Sequence, residues 1–278
     1  MHKTIQFILL VSIIGGTLVS DTWGDPNDIG KYSIVIGNRP IDKTSPIPYK
    51  FHDPLEHRIT VYVNGNPAYS INKSGVFVLF PFIKPGMNSI EIVSDGPQHV
   101  EAMTTAATWR FVIKDRTFIQ YDPNEQNLYK CDFLLPIYIR HEYPYFLQNN
   151  QLPQRPELIQ KGVLDLLKTI FRLVEKRKFT EVAKYMVAGI RLWHPYVEGY
   201  KPQEIEGYIQ NITELCTIGR LSFQQFEPEK YVILIGKNLI LVYRKDGENV
   251  LFKSKYSDSP TVIAYIDGKY IIWYCAPD

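Results

Sequence analysis

The sequence predicts a multi-domain fold: an all-β domain, then an α+β domain of three helices and a curved antiparallel sheet. Three observations predict it. Between Tyr32 and about Asp122, apolar residues recur at every second position between short turn signals, the period of half-buried strands. Beyond Asn150 the period lengthens to about 3.6, the spacing of one helix face. After Gly219 it returns to short strands, set apart by Gly, Pro, Asn and Asp. With 278 residues, and about 150 residues per domain, there is room for roughly two domains. The expected division is a signal peptide over 1–24, a β-domain over 25–125, a linker or edge strand over 126–155 and the α+β domain over 156–278.

His2 and Lys3 precede an apolar run from Ile5 to Ile14, followed by Gly15, Gly16 and the small-residue stretch Thr17–Ser20. A basic start, a short apolar core and a polar exit predict a secretory signal peptide, with cleavage after Ser20 or Gly24; a signal anchor is the alternative. The run falls short of the roughly 20 residues that span a bilayer, and no later segment is long and apolar enough. The expected mature protein is therefore exported, periplasmic or extracellular, and soluble.

In the β-domain, Tyr32–Ile36 alternates first. In Arg58–Val63, Ile59, Val61 and Val63 alternate with Arg58, Thr60 and Tyr62, and Asn64-Gly65 then gives the strongest short hairpin signal before Ala68–Ile71 returns. Val76–Phe82 is a dense apolar strand. Lys84-Pro85-Gly86-Met87-Asn88 has Pro and Gly where a type II turn needs them, and Ile90–Val93 follows with Ile90 and Ile92 on one face. Trp109–Ile113 and Thr117–Tyr121 form a last pair around Lys114-Asp115-Arg116. From Pro123 to Pro156 the chain is rich in Asn, Gln, Pro and Tyr. Its apolar patch, Phe133–Ile139, is interrupted by Pro136, which suits an edge strand or packed linker.

Pro156 opens the first helix, whose stripe is Ile159, Val163, Leu166, Leu167, Ile170 and Val174; Lys176-Arg177-Lys178 closes it against the helix dipole. Thr180 is placed to cap a second helix with Val182, Met186 and Ile190 inward, ended by Trp193-His194-Pro195. Pro202 opens the third, with Ile205, Ile209, Ile212 and Leu215 inward and Gly219 as its stop. The meander expected after it runs through Arg220–Phe226, Tyr231–Ile235, Leu239–Tyr243, Val250–Lys253, Thr261–Ile266 and Tyr270–Tyr274. Gly236-Lys237-Asn238, Asp246-Gly247 and Asp267-Gly268 read as its tight hairpins.

The run Val76–Phe82, Ile83-Lys84-Pro85-Gly86-Met87-Asn88, Ser89–Ile92 resembles the strand–Pro-Gly-x-Asn–strand corner of immunoglobulin-like domains in exported proteins. That resemblance implies a β-sandwich for the first domain. The Cys–Trp–Cys framework of antibody domains is absent. The first two helices with their Arg177-Lys178-Phe179-Thr180 turn, and the ending Tyr265-Ile266-Asp267-Gly268-Lys269-Tyr270-Ile271-Ile272-Trp273, resemble the cone-shaped fold of the nuclear transport factor 2-like superfamily. Here the inter-helix turn lacks that family's usual Gly-Asp, and the third helix precedes every strand predicted for this domain, where the family usually has a strand before it. The resemblance implies an open mouth flanked by the start of the third helix and the last strands. Enzymes of that superfamily such as ketosteroid isomerases pair a carboxylate base with a Tyr donor, a role that falls here to Glu198, Glu204 or Glu206 beside Tyr208.

Composition narrows the function. Hydrophobic residues at 45% exclude general disorder, and 31 basic against 29 acidic side chains, with no basic aromatic stripe, exclude a nucleic-acid partner. No phosphate loop, nucleophile elbow or His-Glu-x-x-His motif occurs. His52-Asp53 and Glu56-His57 read as a polar loop, and His99 and His141-Glu142 as surface, so neither a metal nor a cofactor is expected. Of Cys131, Cys216 and Cys275, the pair Cys216–Cys275 is the favoured disulfide because both lie in one domain; three buried apolar thiols are the alternative.

The candidate binding site is Trp193, His194, Tyr196, Glu198, Tyr200 and Tyr208, with Trp273 and Tyr274 at the end of the last strand. Aromatic bodies with polar tips suit a ligand pocket or a protein-facing rim; otherwise they plug the mouth of the cone. The reading carried forward is an exported, non-enzymatic protein that binds another protein, as inhibitors and toxin-immunity proteins do. A small-ligand or pocket enzyme on the second domain, and an envelope structural or assembly module, are the alternatives.

Overall fold

The computed structural model describes residues 33–37, 54–73, 75–79, 81–83, 86–95, 101–104, 120–121, 128–135, 151–193, 203–253 and 261–275. The expected signal peptide, the candidate strand Trp109–Ile113 and the centre of the 126–155 segment lie outside these residues. The chain divides into two units, one running to Pro144 and the other from Tyr145 to Pro277. The protein is mixed α and β, and every strand pair among the described residues is antiparallel.

In the first unit, β1 (Ser33–Gly37) lies between β4 (Gly75–Val78) and β6 (Glu101–Thr104). A second sheet runs in the order β3 (Asn66–Lys73), β2 (Pro54–Val63), β5 (Gly86–Ser94), β8 (Leu128–Leu135), β7 (Gln120–Tyr121). Its core follows the alternation. Ile59, Val61 and Val63 are fully buried and face Ile71 and Tyr69 on one side and Ile92 and Ile90 on the other. Tyr69 of this sheet meets the Phe77 ring of the other at 5.1 Å. Asn64-Gly65 makes the predicted turn, both residues with positive φ (55° and 74°). Asn64 also ties the turn to β5: its amide donates to Asn88 Oδ1 (2.8 Å), and its Oδ1 accepts from Ser89 N–H (3.1 Å). β8 stops one residue short of Pro136, which could not have donated to the ladder.

In the second unit, α1 (Pro156–Glu175) buries Ile159, Val163, Leu166, Leu167, Ile170 and Phe171. Phe171 joins the predicted stripe in place of Val174, which is only partly covered. Arg177, with φ 54°, ends this helix in a left-handed cap: Arg177 N–H bonds Val174 O and Lys178 N–H bonds Leu173 O. α2 (Phe179–Met186) begins one residue before Thr180, so Thr180 is helical and caps nothing; Lys178 holds the cap position without a side-chain bond. A short α3 (Ile190–Trp193) follows, then α4 (Gln203–Thr217). Gly219, with φ 73°, stops α4 in the same geometry, its N–H on Cys216 O and Arg220 N–H on Leu215 O.

The sheet of this unit has the order β12 (Lys269–Tyr274), β11 (Thr261–Ile266), β10 (Leu239–Arg244), β9 (Tyr231–Ile235). Two of the six predicted strands are reduced to one bridge, Phe223 to Phe252. The cause is local: Asn249 Oδ1 accepts the N–H of Phe252 (3.0 Å) and that of Leu251 (2.8 Å), the donor that the next ladder bond to Gln224 would need. Asp267-Gly268 makes the predicted two-residue turn (φ 50° and 76°), and Gly236 N–H to Leu239 O closes the β9–β10 turn. Asp246-Gly247 makes no tight hairpin: it opens the long connection from β10 to β11, with the Asp246 carboxylate bound back to Arg244.

Candidate functional site

Around the last strand, the sequence puts glycine where two backbones meet. Gly189 sits in the turn between α2 and α3, and its N–H donates to Ile272 O of β12 at 2.8 Å. A Cβ on Gly189 would fall 2.3 Å from Trp273 O and 2.4 Å from Trp273 Cα. At the same place β12 carries a bulge: Val262 pairs with Tyr274 and Ile263 with Ile272, so Trp273 is the extra residue. A bulge re-aims its side chain and sharpens the local twist. Trp273 is 1% exposed.

The proposed aromatic site divides on this geometry. Trp273 and Tyr274 are buried in β12, and Tyr208 is buried on α4. Trp193 closes α3; His194, Tyr196, Glu198 and Tyr200 lie outside the described residues. The start of α4 is tied to α3 by an exposed ion pair, Arg191 to Glu206 at 3.1 Å. Glu206 is two residues from Tyr208 on one helix and so projects to the opposite side, while Glu204, four residues away, shares its face. Of the two α4 candidates for a base beside Tyr208, only Glu204 has the helical position for it.

The disulfide expected between Cys216 and Cys275 is not formed: both are free, buried thiols. Each behaves as a small apolar side chain, and burial pushes the thiol of Cys216 up to about 11 and that of Cys275 up to about 12. Both stay protonated at neutral pH and are poor nucleophiles. Cys131 lies in β8. Among the described residues no three His, Cys, Asp or Glu side chains converge as a metal site, and no helix is long and apolar enough to cross a membrane.

Two features were missed by the sequence reading. The first is a charge cluster. Arg244, 2% exposed, holds Asp246 through Nε (3.0 Å) and Nη2 (2.6 Å), and Glu227 through Nη1 (3.1 Å). Lys230 reaches Glu227 at 2.8 Å. The Lys230 ammonium and then the Arg244 guanidinium hold Glu227 below its ordinary carboxyl range; Arg244 does the same for Asp246. The cluster joins the start of β9 to the end of β10. Its sequence signal is an Arg directly after a predicted apolar strand, two residues before an Asp-Gly.

The second is the outer edge of β9. The ladder to β10 pairs Leu234 with Leu241 and Val232 with Tyr243, and continues with Lys245 N–H on Lys230 O at 2.9 Å. In that alternation the backbone groups of Tyr231, Ile233 and Ile235 point away from β10. The Tyr231 N–H is taken by Pro228 O. The Tyr231 carbonyl and both groups of Ile233 and Ile235 have no partner among the described residues. Val232, Ile233 and Leu234 are partly exposed and Ile235 is exposed. An edge of this kind normally carries Lys, Pro or a bulge to prevent pairing, and Tyr-Val-Ile-Leu-Ile carries none. The edge is chemically a template for a further strand. No family model, no curated protein and no solved structure matches the chain, so the site's meaning rests on its own geometry.

Proposed function

We propose that the chain is an exported, non-enzymatic binding protein that works through protein–protein contact, in the manner of an inhibitor or immunity protein. In this reading an immunoglobulin-like sandwich precedes a cone-like α+β domain. The two antiparallel sheets linked by the Tyr69–Phe77 contact support the first, and the order of helices before an antiparallel meander supports the second. The basic start and short apolar run of the first 24 residues support export.

The observation that carries the binding function is the open, apolar edge of β9. Main-chain pairing there would supply affinity, and side chains alternating on the two faces would supply selectivity. Ile233→Pro tests it without touching the ladder, because the Ile233 N–H points away from β10. Purified natively from its own host, the wild-type chain should carry a stoichiometric protein that Ile233→Pro loses. A bound metabolite, retained by the variant, would instead establish the small-ligand reading of the second domain.

A further inference from the structure

We infer that in the isolated protein the occupant of the β9 edge is a second copy of the same chain, paired antiparallel about Ile233. The inference rests on the binding role given above to this edge and names its partner.

The edge is complementary to itself in one register. With Ile233 opposite Ile233 of the partner subunit, Tyr231 falls opposite the partner's Ile235. The outward groups then match. The two Ile233 residues exchange N–H and C=O, and each Ile235 N–H meets the Tyr231 carbonyl of the partner subunit, for about four bonds in all. Nothing is asked of the Tyr231 N–H, which Pro228 already holds. The facing side chains are Ile on Ile and Tyr on Ile, the β-branched and aromatic pairings that favour adjacent strands.

The charges beyond the strand agree with the same register. Glu229 precedes β9 and Lys237 follows it, and both are exposed. Antiparallel pairing about Ile233 sets the strand end that Glu229 precedes beside the end that Lys237 of the partner subunit follows, and the two-fold axis repeats the match at the other end. A parallel pairing would set Glu229 against Glu229 and Lys237 against Lys237. Opposite charges at both ends of an apolar strand therefore select the antiparallel, closed arrangement over the parallel one. Another protein that adds a strand here has to displace the second copy, so binding and self-association exclude each other.

The test uses the full mature chain in sedimentation velocity across the micromolar range. The wild type should shift from one chain to two as concentration rises. Ile233→Pro should weaken that association about tenfold or more while far-UV circular dichroism and cooperative unfolding stay native. Glu229→Lys should also weaken it, and adding Lys237→Glu should restore it, a rescue that misfolding cannot mimic. A wild type that stays monomeric, a dimer untouched by Ile233→Pro, or a double reversal without rescue overturns the inference. A monomeric wild type that still loses its co-purifying protein in Ile233→Pro leaves the binding reading standing. If Ile233→Pro changes neither association nor co-purification, the binding reading falls as well.

Discussion

Two glycines of the second unit predict opposite outcomes for the same substitution. Gly189→Ala would drive a methyl into the backbone of Trp273 and Ile272, which cannot move without breaking the Gly189 bond to β12. The expected loss is about 3 kcal/mol, the upper range for overpacking. Gly207, exposed within α4, has nothing within 4 Å of the same methyl. Gly207→Ala should therefore gain about 0.5–1 kcal/mol, because glycine in a helix interior loses more freedom on folding. Urea midpoints at unchanged slope measure both. Neither glycine stands out in the sequence: Val-Ala-Gly-Ile reads as the interior of the second helix, which the structure breaks there, and the close approach of β12 becomes visible only when the two are packed.

At the scale of elements, the Arg244 cluster makes the β9–β10 pair sensitive to acid. Asp246 and Glu227 have folded-state pKa values below their unfolded ones, so the stability they contribute is complete above the ordinary carboxyl range near about 4. It is lost as the pH falls through the lowered folded values. The wild-type melting temperature should accordingly drop below about pH 4 more steeply than that of Arg244→Met. Equal slopes for the two proteins would show that the cluster is inert. Helices were the most legible elements, because α1 and α4 keep one apolar stripe over several turns and stop at identifiable caps. The short strands around Phe223 and Phe252 misled the reading. Their apolar alternation is real and both rings are buried, 5.2 Å apart, but Asn249 diverts the Leu251 N–H that would have extended the ladder. Thr180 misled it in the same local way: a good capping residue loses its role when the preceding Lys178 already occupies the cap position.

For the whole molecule, the change from a two-residue to a 3.6-residue period near Asn150 falls close to the division at Tyr145. A fragment of residues 145–278 should unfold in one cooperative urea transition with native far-UV circular dichroism. A fragment without a transition would mean that the second unit depends on the first. The candidate site was much less legible than the fold. Aromatic residues near Trp193 and Trp273 drew attention because large aromatic side chains serve cores and interfaces alike, and composition cannot separate the two uses. Tyr208 and Trp273 prove to be buried. The β9 edge was hidden for another reason: Tyr-Val-Ile-Leu-Ile reads as one more strand of the meander, and only the strand order β12-β11-β10-β9 leaves one of its sides unpaired among the described residues.

A sheet with two bare flanks can recruit copy after copy and grow into a fibril, whereas one bare flank admits a single addition. In this protein the far flank is stopped where Ile272 O, which points outward from β12, receives the Gly189 N–H. The turn between α2 and α3 is in that sense a chain terminator. Damage to it should do more than lower stability: with Ile272 released, each molecule would carry two sticky flanks and become a polymerising unit. Gly189→Ala, incubated near its melting temperature, should then form thioflavin-positive, elongated aggregates that an added Ile233→Pro suppresses. Amorphous precipitate, indifferent to residue 233, would show that the terminator has no such role.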